Sequence, residues 1–492
     1  MTQKQAGLSD DWPNTLNPAV LDVIKNKLGF TKMTPVQSAV VPIFANQHKD
    51  VVVEAVTGSG KTLAFVIPLI EILLRRKQEY KKVHNIGALV ISPTRELAVQ
   101  IYDVIVTFTD TLNLFKPILF VGGNKIDEDM RSFLTDGGNI VVCTPGRFED
   151  LLNQKSINML AHLKTLEVLV LDEADRLLDL GFSMSLLNII KHLPKQRRTG
   201  LFSATQTDEV EKLIKVGLRN PCTIQVKQKG NANAQKTPLA LHNYYQNVEP
   251  EKKFYNLISY LKSHQSMKII CFMSTCAGVE YFSKLVRLFI QDTKCLSIHR
   301  KVKSKRTRVY NEFKSLKKGI LICTDLLARG IDIEDVDCVI QYDAPKLAST
   351  FVHRCGRTAR LGRQGDALIY LLPNEDSYVQ FLALNQNVPL SEFDNQKIKN
   401  KESFEKMLNK IRALALSDRD LYEKGIQAFV SYIKAYSKHE CSHLFKVKEL
   451  DFVGLAKGYG LLHMPKMPEI KKSDTVSIKF IQDLDTSKIP YK

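Results

Sequence analysis

Ala55-Val56-Thr57-Gly58-Ser59-Gly60-Lys61-Thr62 gathers glycines, a lysine and a hydroxyl into one short run. Gly58 and Gly60 let the backbone curl so that the N–H groups of the run, those of Thr57 and Ser59 among them, point at phosphate oxygens. A helix opening at the end of the run adds its positive end. Lys61 then neutralises the β- and γ-phosphates of a nucleotide, and the Thr62 hydroxyl is a ligand for Mg²⁺. The first position of this GxxxxGKT pattern is Ala55 rather than Gly, still small enough to leave the backbone room.

Asp172-Glu173-Ala174-Asp175 ends the apolar run Val168–Leu171. A carboxylate at the C-terminal end of a strand beside a phosphate loop holds the water shell of Mg²⁺, and a second orients or deprotonates an attacking water. Asp172 takes the metal, largely through water, and Glu173 takes the water. Acidic surface turns are common, so the phosphate loop upstream is what gives this tetrad its meaning.

Positioning these groups requires a sheet. Short β-branched runs alternate with helical patterns from about residue 20 to about residue 385. Asp50–Ala55, Ala88–Ser92, Pro117–Gly122, Asn139–Thr144 and Leu166–Asp172 read as buried strands. The alternation predicts an α/β fold with a parallel sheet covered on both faces. Lys227–Pro238, polar with Gly, Asn and Pro, suits a linker. Lys268–Phe272, Cys295–His299, Ile320–Thr324, Cys338–Tyr342 and Asp366–Leu372 then read as strands of a second sheet, and Ser403–Leu416 and Leu421–Ser437 as helices. The expected domains are 1–228, 241–388 after a linker at 229–240, and a mainly helical extension at 389–492.

Composition fits a soluble globular chain: 492 residues, 44% apolar and 25% charged. The 70 basic against 52 acidic residues leave +18, which points to a polyanionic partner such as nucleic acid. Nine cysteines without CxxC spacing indicate neither a disulfide framework nor a zinc ribbon, and so a reducing compartment. The polar N-terminus has no apolar signal core. Leu63–Leu74 is interrupted by Glu71 and falls short of the roughly 20 residues that span a bilayer, so no membrane association is expected.

The tetrad Asp172–Asp175, with Ser203-Ala204-Thr205 after it and His353-Arg354-Cys355-Gly356-Arg357-Thr358-Ala359-Arg360 later, resembles the DEAD-box RNA helicases from about Trp12 to about Leu372. The resemblance implies two tandem RecA-like parallel-sheet domains and ATP-dependent local unwinding of RNA, with ATP and Mg²⁺ as cofactors. Gly29-Phe30-Thr31-Lys32-Met33-Thr34-Pro35-Val36-Gln37 is similar to the family's adenine-reading segment. Gln37 would donate to N7 and accept from the N6 amine. Trp12, where members more often have Phe, would stack on the base. Arg357 and Arg360 match the arginine fingers that meet charge on the transferring phosphoryl group. Asp332 resembles the ribose-contacting acid, and Ser203, Thr205 and His353 the links between nucleotide and RNA.

Family matches for RNA contact are Pro93-Thr94-Arg95, Gly122-Gly123 and Thr144-Pro145-Gly146-Arg147, with Thr275 and Thr324 in the second lobe. Such contacts read the backbone and its 2′-hydroxyls, with arginines supplying charge. Where members often have His-Gly and a nearby Gln, the chain reads His299-Arg300-Lys301-Val302-Lys303-Ser304. Lys301–Lys318 holds eight basic residues and one acid, Glu312, which predicts a helix with a phosphate-attracting basic face.

Ala428–Lys471 is similar to the extension of a subgroup of the family that acts in large ribosomal subunit assembly. This implies pre-rRNA as substrate, pre-60S particles as partners, a nuclear and nucleolar location, and a monomer. Read without the resemblance, the extension packs an apolar face on the second lobe and offers basic and aromatic side chains to RNA. His439, Cys441 and His443 read as part of a helix with mixed faces, since no fourth zinc ligand lies nearby. Two rival functions remain open: an ATP-gated RNA clamp with little unwinding, and a DNA helicase or translocase, against which Gln37 and the acidic tetrad argue.

Overall fold

The computed structural model describes residues 10–56, 58–123, 125–154, 156–205, 207–226, 240–301, 306–325, 333, 335–359, 364–394, 403–470, 480 and 489–491. The chain divides into two compact units, Met1–Gly230 and Asn231–Lys492.

In the first unit the strands are β1 (Val51–Glu54), β2 (Ala88–Ile91), β3 (Pro117–Phe120), β4 (Ile140–Cys143), β5 (Val168–Leu171), β6 (Arg198–Ser203) and β7 (Cys222–Gln225). They form one seven-stranded sheet in the order β3-β4-β2-β5-β6-β1-β7, with every pairing parallel. Helices cover both faces, so β2, β4 and β5 are buried along their whole length and read as unbroken apolar runs. One apolar cluster, with Phe65, Ile101 and Val170, lies on one face; another, with Leu169, Phe148 and Leu186, lies on the other.

The sequence pattern did not mark β6 or β7. β6 opens with Arg198-Thr199-Gly200, a polar start that is buried because distant groups satisfy it. Arg198 donates to the Ala45 carbonyl at 2.9 Å, and the Thr199 N–H donates to Asp50 at 2.8 Å. Such long-range partners leave no trace in periodicity.

The second unit repeats the plan. Its strands are β8 (Leu241–Asn247), β9 (Lys268–Phe272), β10 (Cys295–Ile298), β11 (Gly319–Cys323), β12 (Cys338–Gln341), β13 (Gly365–Leu371) and β14 (Ser391–Glu392), in the parallel order β10-β11-β9-β12-β13-β8-β14. Again the two strands without an apolar run, β8 and β14, went unmarked.

The extension supplies helices Phe404–Ser417, Arg419–Tyr436 and Phe452–Gly458. Phe429, Tyr432, Ile433 and Tyr459 join the same apolar cluster as Phe254 and Phe282, on helices that cover the second sheet, and Tyr342, just after β12. The Phe282 and Tyr459 rings meet edge to face, with centroids 4.9 Å apart. These residues are the apolar face expected to pack on the second lobe, and their aromatics are core rather than available to RNA. His439, Cys441 and His443 follow the end of their helix at Tyr436 and lie in irregular and turn segments, not on a helical face.

Among the described residues no helix is long and apolar enough to cross a membrane. The linker expected at 229–240 lies outside the described residues apart from Ala240.

Candidate active site

β1 ends at Glu54, and the loop that follows turns into the helix Lys61–Arg75. Gly60 caps that helix in the left-handed region, at φ 92°, where a β-carbon would lie 2.7 Å from Gln37 Nε2 and 2.9 Å from Thr34 Oγ1. Glycine is required here on both counts. Inside the loop, Ser59 Oγ donates to the Val56 carbonyl at 2.7 Å and Lys61 Nζ donates to the Ala55 carbonyl at 2.6 Å. The lysine is thus buried and held at the centre of the curl. Thr62 is half-buried on the first helical turn, and Thr57 lies outside the described residues.

Gln37 ties the preceding helix to this loop. Thr34 and Gln37 form a capping box at the start of the helix Pro35–Asn46: Gln37 Oε1 accepts from the Thr34 N–H at 2.8 Å. Its other end, Nε2, donates to the Gly60 carbonyl at 3.1 Å. Each end of a primary amide keeps one further hydrogen bond, so Gln37 can still donate to and accept from a base while bracing the loop. The T-x-x-Q spacing made the cap readable, though the expectation had given Gln37 only its base.

Trp12 departs from its expected role. It is 5% exposed, sits in the core of the first unit and donates its indole N–H to the Phe30 carbonyl at 3.0 Å. So little ring surface cannot carry a stacked base. Phe30 beside it is 42% exposed and is the aromatic with a face to offer.

The acidic groups lie at the carboxyl end of the sheet. Asp172 follows β5, and Ser203 ends β6, the strand between β5 and β1. Asp172, Glu173 and Asp175 are all buried, with Glu173 in the left-handed region at φ 47°. Burial, then repulsion from Glu173, pushes the Asp172 carboxyl up to about 7, while Lys61 pulls it down. Oε2 of Glu173 has no hydrogen-bond partner among the described residues. Thr205 Oγ1 donates to Asp175 Oδ2 at 3.1 Å, and Ser203 Oγ donates to the Thr205 carbonyl at 2.7 Å. Asp175, which the sequence reading left without a role, is therefore the anchor of the Ser203–Thr205 turn. Among the described residues no group of three or more His, Cys, Asp or Glu side chains is arranged to hold a metal by itself.

The other first-unit motifs crown β2, β3 and β4. Thr94 caps the helix Arg95–Leu112, accepting from the Leu97 N–H at 3.3 Å, and Pro93 is buried before it. The Arg95 guanidinium lies over Gly122 and Gly123. Thr144 stands at the cap of the helix Pro145–Leu152, and nothing lies within 4 Å of a β-carbon on Gly146. Two helix N-termini on adjacent strand ends suit a phosphodiester backbone. Arg147 does not belong to that surface: it is 8% exposed and paired at 3.4 Å with the buried Asp129. Its charge is already answered inside the fold.

In the second unit, Arg357 is 2% exposed and its Nε donates to the His353 carbonyl at 3.3 Å. His353, also buried, lies on the helix Ala348–Cys355. Arg354 between them, assigned no role from sequence, is the hub: it donates to Asp325 at 2.5 Å and to the Asp343 carbonyl at 2.6 Å. Asp325 follows Thr324 at the end of β11, so Arg354 ties that loop to the helix. Thr275 caps the helix Cys276–Phe289, accepting from the Gly278 N–H at 3.0 Å, and also accepts from Ser431 of the extension at 3.0 Å. Asp332 and Arg360 lie outside the described residues, as do Lys303 and Lys305 of the basic run. The helix expected in that run is present at Arg306–Ser315, with Lys294 paired to Glu312.

Comparison with known proteins places these motifs. Residues 34–213 match the DEAD/DEAH box helicase family and 252–362 the helicase conserved C-terminal domain. ATP-dependent RNA helicase DDX55 of Mus musculus is 52% identical over 481 residues, which are 97% of this chain and 79% of that protein. The chain is a DEAD-box ATP-dependent RNA helicase. DEAD-box ATP-dependent RNA helicase 18 of Arabidopsis thaliana is 43% identical, over 92% of this helicase and 76% of its own length. Residues 418–467 match the C-terminal extension described as ATP-dependent rRNA helicase SPB4-like. Among solved structures, Mss116p bound to single-stranded RNA and AMP-PNP superimposes with a TM-score of 0.81 at 26% identity, covering 92% of this chain and 91% of that one. The two sheets are thus tandem RecA-like domains, with a helical region after them.

Proposed function

We propose that this helicase hydrolyses ATP with groups drawn from both of its units and uses the cycle to open short stretches of ribosomal RNA during assembly of the large subunit. The observation that carries the reading is the buried set Lys61, Asp172 and Glu173 beside a phosphate loop braced by Gln37. Lys61 in that set meets the bound β- and γ-phosphates, and Arg357, with Arg360, is assigned from the second unit to the charge that develops on the transferring phosphoryl group. Supporting the substrate is the SPB4-like extension, whose family description names an rRNA helicase. Pre-60S association, a nucleolar location and a monomeric state follow as parts of the same proposal, as do the boundaries 1–228, 241–388 and 389–492 with a hinge at 229–240.

Phe30 is assigned to stack on the adenine and Gln37 to read its edge, while Lys61 draws the β- and γ-phosphates into the loop. Thr62 and Asp172 are hard oxygen donors suited to Mg²⁺, held largely through water and phosphate oxygens. The bound ion would neutralise phosphate charge and the repulsion that raises the Asp172 carboxyl. Glu173, whose Oε2 has no partner among the described residues, orients or deprotonates the attacking water. Thr94, Arg95, Gly122, Gly123, Thr144, Pro145 and Gly146 are assigned to the RNA backbone, with Thr324 in the second unit. Ser203, Thr205 and His353 relay the nucleotide state to that surface.

Hydrolysis measured with and without RNA tests the proposal. Addition of RNA is expected to raise the ATPase rate severalfold or more. Glu173→Gln and Arg357→Ala should each lower kcat by about a hundredfold or more while ATP still binds. Equal hydrolysis with and without RNA would sink the coupling. Crosslinking of bound RNA in cells to sites outside pre-rRNA would sink the substrate.

A further inference from the structure

The helix Ala348–Cys355 carries His353 and leads directly into Arg357. Leu347, at its N-cap, has no side-chain oxygen to accept from the first turn. The acceptor comes from the extension. Glu440 Oε2 accepts the Ala348 N–H at 2.8 Å, and the Glu440 N–H donates to the Lys346 carbonyl at 3.0 Å. The two bonds clasp the turn that starts the helix.

Glu440 is not on a loose arm. His439 beside it is buried, accepts the Cys441 N–H on Nδ1 at 3.0 Å, stacks on Phe445 with ring centroids 3.6 Å apart, and meets Tyr378 edge-on. Tyr436, at the end of the preceding helix, accepts from Asn374 at 3.1 Å. The carboxylate is therefore presented by packed aromatic structure. A helix of eight residues has little internal cooperativity, so a lost cap is felt at its far end. A carboxylate at the N-terminus also complements the helix dipole. Arg354, bound to Asp325 and Asp343, pins the other end. Glu440 and Arg354 together fix the direction in which the segment after Cys355 leaves the helix.

We propose that Glu440 is a positioning residue for ATP hydrolysis: the extension supplies the missing cap of the helix that aims Arg357. The proposal rests on the role given to Arg357 above and assigns the extension a part in the chemistry besides any part in choosing RNA.

The test uses the full chain and steady-state ATPase kinetics at saturating RNA, with melting temperatures alongside. Glu440→Ala is expected to lower kcat about tenfold, the rate equivalent of a lost cap. KM for ATP should stay within about twofold, because no ATP-binding group is touched. Glu440→Gln keeps an acceptor oxygen and should recover most of the rate. Ala348→Pro removes the N–H that needs an acceptor, at a helix position that favours proline after an extended Leu347. In that background Glu440→Ala should be silent, and it should likewise add nothing to Arg357→Ala. An unchanged kcat in Glu440→Ala overturns the proposal, and so does a loss that persists undiminished beside Ala348→Pro or Arg357→Ala. If Glu440→Ala fails to fold, the Gln variant and the proline background carry the same comparison. Should Arg357→Ala itself hydrolyse ATP normally, the failure belongs to the role of Arg357 and is visible without any change at Glu440.

Discussion

Thr205 donates its hydroxyl to Asp175 across 3.1 Å, joining the turn after β6 to the acidic tetrad after β5. The bond links a residue that follows Asp172 and Glu173 to a segment with no part in binding phosphate. In the proposed cycle this bond is the route by which a change at the nucleotide would reach the Ser203–Thr205 turn.

Thr205→Val tests that link. It keeps the shape and leaves a buried carboxylate one donor short, at a stability cost of about 1–3 kcal/mol. RNA-stimulated ATPase should fall little, while strand displacement per ATP consumed should fall about tenfold. An equal drop in both rates would mean that Thr205 merely supports the tetrad.

Gln37→Glu separates the two duties of that side chain. A carboxylate can still accept from Thr34 in the capping box, but it cannot donate to Gly60 or to an adenine nitrogen. KM for ATP should rise about tenfold, and preference for ATP over GTP should narrow by a similar factor. Unchanged base preference, measured as a ratio of kcat/KM values, would leave Gln37 as a brace alone.

Phe30 and Trp12 make a contrasting pair. Phe30→Ala removes an exposed ring and should raise KM for ATP with a melting temperature near that of the parent. Trp12→Ala empties a core position and should cost about 3–5 kcal/mol of stability. Urea unfolding beside ATPase kinetics distinguishes them; the reverse pattern would restore Trp12 as the stacking residue.

The chemistry of the phosphate loop and its carboxylates was legible because it is local: each motif is contiguous, and each strand that presents it is an apolar run. What stayed hidden depends on partners far along the chain. Trp12 reads as an aromatic available to a base until the fold buries it. Arg147 reads as a cation for RNA until Asp129 answers it. β6 is a strand whose polar residues are satisfied only in three dimensions, and β8 has no apolar run to mark it. The clasp of Glu440 on Ala348 joins segments 92 residues apart and has no motif at all.

His439 gives the second unit a defined response to acid. Burial pushes its imidazole down to about 4 from an ordinary value near 6.5, with Arg354 adding to the shift. Between those values the unfolded chain holds the proton and the folded chain does not. The stability contributed by the neutral ring is thus fully present above pH 6.5 and is lost as pH falls toward 4. Going from pH 7.5 to 5, the parent should lose roughly 2 kcal/mol more than His439→Asn, which keeps an acceptor for Cys441 and cannot titrate. Urea midpoints at the two pH values measure this, and parallel losses would remove His439 from the account.

Gly123 bears on RNA. Its φ of 125° disfavours any side chain, and a β-carbon there would stand 2.5 Å from Arg95 Nη1. Gly123→Ala must therefore strain the backbone and also displace the guanidinium that lies over Gly122 and Gly123. If Arg95 meets an RNA phosphate, Gly123→Ala should weaken RNA binding about tenfold. Arg95→Ala should do the same and flatten the dependence of affinity on salt by about one ion. Nucleotide binding in the absence of RNA should not change in either variant, since the phosphate loop follows β1, three strands away from β2 in the sheet order. Combining the two substitutions gives the decisive reading: once Arg95 is gone, the alanine at 123 should cost no further RNA affinity beyond its backbone strain. A full additive loss would mean that Gly123 serves RNA directly, as a close approach of backbone to backbone, and that Arg95 is held there for the fold.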